Sequence, residues 1–276
     1  MQLSALHVYP VKSCRGIAPP RWDLDAYGLR ADRGWMVVDA AGRFLTQREL
    51  PRLAVVTTRI DGDRLILDAP DLAALVLPLA GVDAGDVEIE VWRHVGPARD
   101  GGDAAAEWIS THLGVSTRLV ALPRTHARPV SRDWFSGAAQ TTFSDGYPLL
   151  LIGQASLDDL NTRLPKPLPM ERFRPNLVVR DAAPYEEDLW KRIRIGDVEL
   201  AIVKPCSRCA ITTTDQTTGA RDGTEPLRTL ASYRKTELGV VFGQNVVHLA
   251  PGTLAVGAPV EVLERRLALR VRPEQD

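Results

Sequence analysis

The sequence predicts a mainly β fold with a few helices, an α+β arrangement of two β-rich halves. Three observations predict it. Short apolar segments alternate with polar residues at a period of two, the pattern of half-buried strands. Turn signals recur between them, as in Ala41-Gly42 and Asp61-Gly62-Asp63. Helical patterning is confined to short stretches at 103–113, 156–164 and 226–233.

In chain order, Leu3 to Val8 alternates and reads as a strand. Trp35 to Asp39 runs through Ala41-Gly42 into Arg43-Phe44-Leu45-Thr46, a hairpin pattern. Leu53 to Ile60, rich in Val and Thr, reads as a strand, with Arg64 to Leu67 beyond the Asp61-Gly62-Asp63 turn. Asp86 to Trp92 reads as another. The helix Asp103–Leu113 has Asp103 as expected N-cap and Gly114 as its stop. Leu119 to Leu122 closes the first half. Pro123 to Ser136, rich in Arg and Pro without periodicity, reads as a linker or long surface loop. Tyr147 to Ile152 is a short apolar strand, followed by a helix over Ser156–Leu164 with Ser156 and Asp159 as a capping-box-like pair. Strands are expected at 176–179, 193–195, 198–203, 210–214, 242–249 and 259–263. A helix with Pro at its first turn is expected at Pro226–Tyr233.

The 276 residues are 45% hydrophobic and 25% charged, with a formal net charge of −1. That composition suits a globular chain with a substantial core and argues against disorder. It also argues against a general nucleic-acid coat, which needs a basic field. Five of the 34 basic residues are lysine, so the rest are arginine. The longest apolar run, Leu72 to Val82, contains Pro78 and Gly81; a membrane-spanning helix needs about 20 residues. No secretory signal is legible at the start. The three cysteines, Cys14, Cys206 and Cys209, form no framework spacing. A reducing compartment is expected, with cytoplasm the default.

The most informative stretch is Lys204-Pro-Cys206-Ser207-Arg208-Cys209-Ala-Ile-Thr-Thr-Thr-Asp215. A structural zinc site needs a second pair of ligands, and none is legible. A thioredoxin-like pair normally opens a helix, whereas Ile-Thr-Thr-Thr favours a strand. A single thiolate ligand to a metal carried by an organic cofactor is a third reading, because thiolates suit soft or redox metals and Lys204 and Arg208 would favour the anion. The plain alternative is two small buried residues, which the flanking cations disfavour. Tyr9-Pro-Val-Lys12-Ser13-Cys14-Arg15-Gly16 offers an anion-binding set after a strand, although taken alone a solvated loop is the simpler reading. Arg33 precedes one strand, Arg172-Phe173-Arg174-Pro175-Asn176 another, and Ser144-Asp145-Gly146-Tyr147 a third. Each alone reads as a turn or cap.

Together these segments resemble the MOSC superfamily, named for the C-terminal domain of molybdenum cofactor sulfurase. The resemblance is to the branch with an N-terminal MOSC β-barrel domain, which includes the mitochondrial amidoxime-reducing components and bacterial relatives. It is carried by YPVKSCRGI, ADRGWMVVD, SDGYPLLLI, FRPNLVV, IGDVEL, CSRCAITTTDQTTG, EPLRTLASYR and FGQNVVHLAPGTLAVGAPV, in family order across almost the whole chain. It implies an N-terminal β-barrel-like domain over 1–122, a MOSC β-barrel domain over 123–276, and a cofactor in the cleft between them.

The resemblance further implies a molybdenum cofactor (Mo-molybdopterin), with Cys209 as the protein's ligand to Mo and the catalytic anchor. Cys206 matches a cysteine that is not the ligand. Lys12, Ser13, Arg33, Asp145, Gly146, Tyr147, Arg174, Asn176, Ser207, Arg208 and Asn245 match cofactor-lining positions, Asn245 at a position of variable residue type. The implied activity is reduction of N-hydroxylated compounds such as hydroxylamines, hydroxylated bases and amidoximes, with a detoxifying use. No ferredoxin-type cysteine spacing is legible, so no intrinsic iron–sulfur cluster is expected. A separate electron-donor protein is then implied, of ferredoxin or cytochrome b5 type with a reductase. The anchor of the mitochondrial relatives is not legible, so no membrane association is expected. The alternative is a sulfur carrier or cofactor-handling protein that forms a persulfide on Cys206 or Cys209.

Overall fold

In the computed structural model the alternating segments become strands; the described residues are 1–126, 128–221 and 223–267. The charged tail to Asp276 lies outside them. The first half supplies β1 (Gln2–Leu6), β2 (Arg21–Asp25), β3 (Gly28–Leu29), β4 (Trp35–Val38), β5 (Phe44–Leu45), β6 (Thr57–Asp61), β7 (Arg64–Asp68), β8 (Leu75–Pro78), β9 (Asp86–Val91), β10 (His94–Asp100), helix α1 (Asp103–Leu113) and β11 (Arg118–Ala121). The second supplies β12 (Leu149–Gly153), helix α2 (Gln154–Arg163), β13 (Leu177–Arg180), β14 (Trp190–Ile195), β15 (Val198–Ser207), helix α3 (Leu227–Tyr233), β16 (Lys235–Thr236), β17 (Gly239–His248), β18 (Gly252–Ala255) and β19 (Val260–Arg265). The fold is mostly β, as the patterning predicts. No helix among the described residues is long and apolar enough to cross a membrane.

The principal sheet runs β1-β13-β12-β17-β15-β14-β19, with β16 added beside β17. Its first strand comes from the N-terminus, where Leu6 pairs with Leu177. The run Leu149-Leu150-Leu151-Ile152 is apolar throughout because both faces of β12 are covered. Leu149 and Leu151 join Leu6, Leu177, Ile193 and Leu200 on one face. Leu150 and Ile152 join Phe173, Phe242 and the α2 and α3 residues Leu157, Leu160 and Leu230 on the other. Each such side chain contributes roughly 1.5–3 kcal/mol by leaving water.

A second sheet, β5-β4-β11-β10-β9, packs against α1, and β6-β7-β8 and β18-β2-β3 form smaller sheets. The β18–β2 pairing again ties the C-terminal half to the N-terminal half.

Several local expectations are corrected. Residues 210–213 form a 3-10 turn rather than a strand. The Thr212 and Thr213 hydroxyls donate to the carbonyls of Cys209 and Ala210 at 2.9 and 2.8 Å, and this local bonding overrides β propensity. The expected strand over Leu53–Ile60 begins as a 3-10 turn at Pro51–Val55 and becomes β6 only at Thr57. The cap of α1 is Gly102, held by the Asp100 carboxylate, not Asp103. Ser156 lies inside α2 and donates to buried Glu187 instead of capping. Strands β2, β8, β10 and β18 were not legible, being short, charged or interrupted by Pro97.

Candidate cofactor and active site

The loops that leave β1, enter β4, precede β12 and β13, and follow β15 converge on one cleft of about 750 Å3, open to solvent. Lys12, Ser13, Arg33, Asp145, Gly146, Tyr147, Arg174, Asn176, Ser207, Arg208, Cys209 and Asn245 all line it, as does Cys206. The structure thus brings together every position that the resemblance matches to the cofactor site. Cys14 is buried behind the cleft, where desolvation pushes its thiol up to about 12.

Three of the lining residues sit in strained backbone. Ser13, Arg33 and Arg174 hold φ of 68°, 46° and 57°. Left-handed backbone costs an ordinary residue about 1–2 kcal/mol, and such strain concentrates at functional sites. Here Arg33 and Arg174 are turned toward one another, and all three residues line the cleft. Arg33 donates to Asp32 at 2.6 Å and to Asn176 Oδ1 at 2.9 Å. Arg33 and Arg174 both lie over the Tyr9 ring, at 4.4 and 4.3 Å from its centroid. Arg174 also donates to the Cys14 carbonyl at 2.8 Å. Burial pulls Arg174 down to about 10, so it stays charged at neutral pH.

Asn176 is the hub of this wall. Its amide nitrogen donates to the His7 carbonyl and to Asp32 Oδ1, each at 3.1 Å. Its oxygen accepts from Arg33 and from the Leu150 amide. Every hydrogen-bonding capacity of the side chain is engaged within the protein, so Asn176 positions Arg33 and Asp32 rather than reaching outward. Asn245 donates to the Pro205 carbonyl at 3.2 Å, which fixes the strand that leads to the cysteines.

On the opposite side Lys12 donates to the Phe143 carbonyl at 2.7 Å and to Asp145. Burial lowers the Lys12 pKa, opposed by Asp145. Desolvation alone would raise Asp145, but Lys12 and Arg48 outweigh it and hold the carboxyl well below the usual range. Two groups here were not expected from sequence. Arg48 Nη2 lies 3.3 Å from both Asp145 Oδ2 and Cys209 Sγ. Its guanidinium stacks over Trp92, whose indole N–H donates to Asp145 Oδ1 at 3.2 Å. Arg48 lies in a turn and Trp92 at a hairpin tip, and no local pattern marks either. Arg221 and Gln47 clamp the Arg48 loop from below, Arg221 donating to the Arg48 carbonyl at 2.7 Å and Gln47 to the Ser13 carbonyl at 2.6 Å.

Cys206 accepts from Arg208 Nη1 at 3.1 Å, and Arg208 Nη2 donates to the Phe173 carbonyl at 2.7 Å. Lys204, expected beside the thiols, instead lies over the Trp134 and Tyr147 rings. The cation beside Cys209 is therefore Arg48. Among the described residues no group of three or more His, Cys, Asp or Glu gathers as a metal site. The donor set suits a bulky anion that also offers a soft metal to one thiolate. Arg174 Nη2 and Arg208 Nε are buried and find no hydrogen-bond partner among the described residues, and such donors are expensive to leave unmatched.

Sequence similarity agrees with this geometry. The MOSC N-terminal β-barrel domain matches residues 1–116, and the MOSC domain matches residues 138–261. The chain is 38% identical over 285 aligned positions to mitochondrial amidoxime-reducing component 1 of Homo sapiens, covering 95% of this chain and 82% of that protein. It is 37% identical to component 1 of Mus musculus, with the same two coverages. With component 2 of Rattus norvegicus the identity is 36%, over 94% of this chain and 82% of that protein. The chain belongs to the family of MOSC-domain proteins that contains the mitochondrial amidoxime-reducing components.

Proposed function

We propose that this protein is a molybdenum-cofactor-dependent oxidoreductase that reduces N-hydroxylated compounds. The observation that carries the reading is the Cys209 thiol in a cleft lined by Arg33, Arg174 and Arg208, with Arg48 beside it and with buried guanidinium N–H groups that find no acceptor among the described residues. The relatives named for amidoxime reduction support it.

The residues divide the work by chemistry. Cys209 would supply one thiolate to the metal. Arg174 and Arg208 would donate to the anionic parts of the cofactor, and Arg33 is held in place for the same purpose by Asp32 and Asn176. When bound, the molybdenum cofactor supplies the two-electron redox couple that cleaves an N–O bond, an overall conversion of R–NH–OH, two electrons and two protons into R–NH2 and water. Asp145 is kept ionised by Lys12 and Arg48, so it anchors cations and N–H donors rather than giving a proton. Electrons would come from a separate redox protein of ferredoxin or cytochrome b5 type. The sulfur-carrier alternative gains no support from the named relatives.

The test is metal and pterin content of protein made in a host that synthesises the cofactor, with Cys209→Ala beside it. Near-stoichiometric Mo in the wild type, its loss or altered coordination in the variant, and reduction of an amidoxime by the loaded wild type with an artificial electron donor are expected. Absence of both Mo and pterin from the wild type in that host overturns the proposal.

A further inference from the structure

Trp92 occupies the first position of the two-residue loop between β9 and β10, where Val91 pairs with His94. Its φ is 58°, and that of Arg93 is not positive. A two-residue hairpin loop with this conformation favours glycine at the first position, and a bulky residue there is an outlier. The side chain is nonetheless well defined by its neighbours. Phe44 packs at a ring-centroid distance of 5.1 Å, Arg48 lies 4.9 Å from the ring centroid, and the indole N–H reaches Asp145. Even so Trp92 remains 43% exposed. Strained backbone therefore presents a large aromatic surface at the rim, one residue removed from Cys209 through Arg48.

Asp145 adds a polar edge to that surface. Among the described residues Oδ1 receives Lys12 and Trp92, while Oδ2 receives only Arg48. A carboxylate oxygen accepts two hydrogen bonds, and this side chain is 54% exposed. An ionised oxygen with a free acceptor direction thus lies beside an exposed indole. A planar group with N–H donors in its plane matches both features.

We propose that Trp92 is a specificity-determining residue, a stacking wall that makes aryl-substituted amidoximes better substrates than small alkyl hydroxylamines. The inference rests on the proposed reductase function and deepens it. The aryl amidine framework stacks on the indole while its NH2 group donates to Asp145 Oδ2. A small alkyl hydroxylamine gains little from either contact.

The experiment compares wild type, Trp92→Leu and Trp92→Phe, each corrected for Mo content, on benzamidoxime and N-methylhydroxylamine. The kcat/KM ratio of the two substrates falls about three- to tenfold in Trp92→Leu, mainly through KM, and is largely kept in Trp92→Phe. A second readout needs no turnover: benzamidine, the amidine product, causes saturable quenching of tryptophan fluorescence in the wild type, and Trp92→Phe loses that component. Equal losses on both substrates in Trp92→Leu, or quenching that survives in Trp92→Phe, overturn the inference while leaving the reductase function intact. A loaded wild type that reduces neither substrate overturns both.

Discussion

Asn176 offers a sharp test of how the cleft is held. The side chain is 1% exposed, and Asn176→Ala removes four hydrogen bonds at once. Arg33 keeps Asp32 as a partner, and Asp32 Oδ1 keeps the Tyr9 amide at 2.8 Å. The Leu150 amide and the His7 carbonyl lose the partners they had in Asn176. Each buried group so stranded costs about 1–3 kcal/mol, giving roughly 4 kcal/mol for the pair. For a chain of this size that is on the order of a 10 °C fall in Tm. Cofactor-free protein should show it in thermal and urea unfolding, because the bonds are internal. Asn176→Asp, nearly equal in shape, should be no better, since it sets a second carboxylate where an N–H faced Asp32. A loss below about 1 kcal/mol in cofactor-free Asn176→Ala would falsify the hub role; cofactor loss without instability would instead mark Asn176 as a direct ligand.

Asp145→Asn should lower Tm at neutral pH, because Lys12 loses its counter-charge. The Asp145 pKa is depressed from 3.8, so its stabilisation is present above that value and is lost as pH falls through the folded-state value. The Tm gap between wild type and variant should therefore narrow as pH drops below 3.8; a gap that widens refutes the assignment. Gly243→Ala should destabilise by more than about 1 kcal/mol, since φ is +76° and a Cβ would lie 2.6 Å from Ile152 and 2.8 Å from the Leu151 carbonyl. Gly62→Ala, with φ +62° but open space around it, should cost only about 1 kcal/mol in the same denaturation assay; equal losses would mean that strain, not collision, governs both sites.

Much of the fold was legible because strand patterning is a local property. The apolar run at 149–152 reflects two-sided burial and can be read without partners, whereas Leu3 and Leu6 share one core face only because a bulge breaks the alternation between Leu3 and Ala5. The Cys206–Cys209 stretch and the polar loops near Lys12, Arg33, Asp145 and Arg174 were legible as chemistry, and their family order tied them to one site. The threonines at 212 and 213 misled, because β-branched residues favour strands unless their hydroxyls find a nearby carbonyl.

By itself the sequence determined the β-rich character, a pair of cysteines flanked by cations, and the polar loops that carry Lys12, Arg33 and Arg174. Only the tertiary structure decided which of them touch. Pairing of β1 with β13 brings Lys12 within reach of Asp145, a separation of 133 residues. The β9–β10 hairpin and the turn after β5 bring Trp92 and Arg48 to Cys209 and Asp145. The physical reason is that propensity and periodicity act over a few residues. A hydrogen bond or a stacked ring acts over a few ångströms, however far apart in the chain its partners lie.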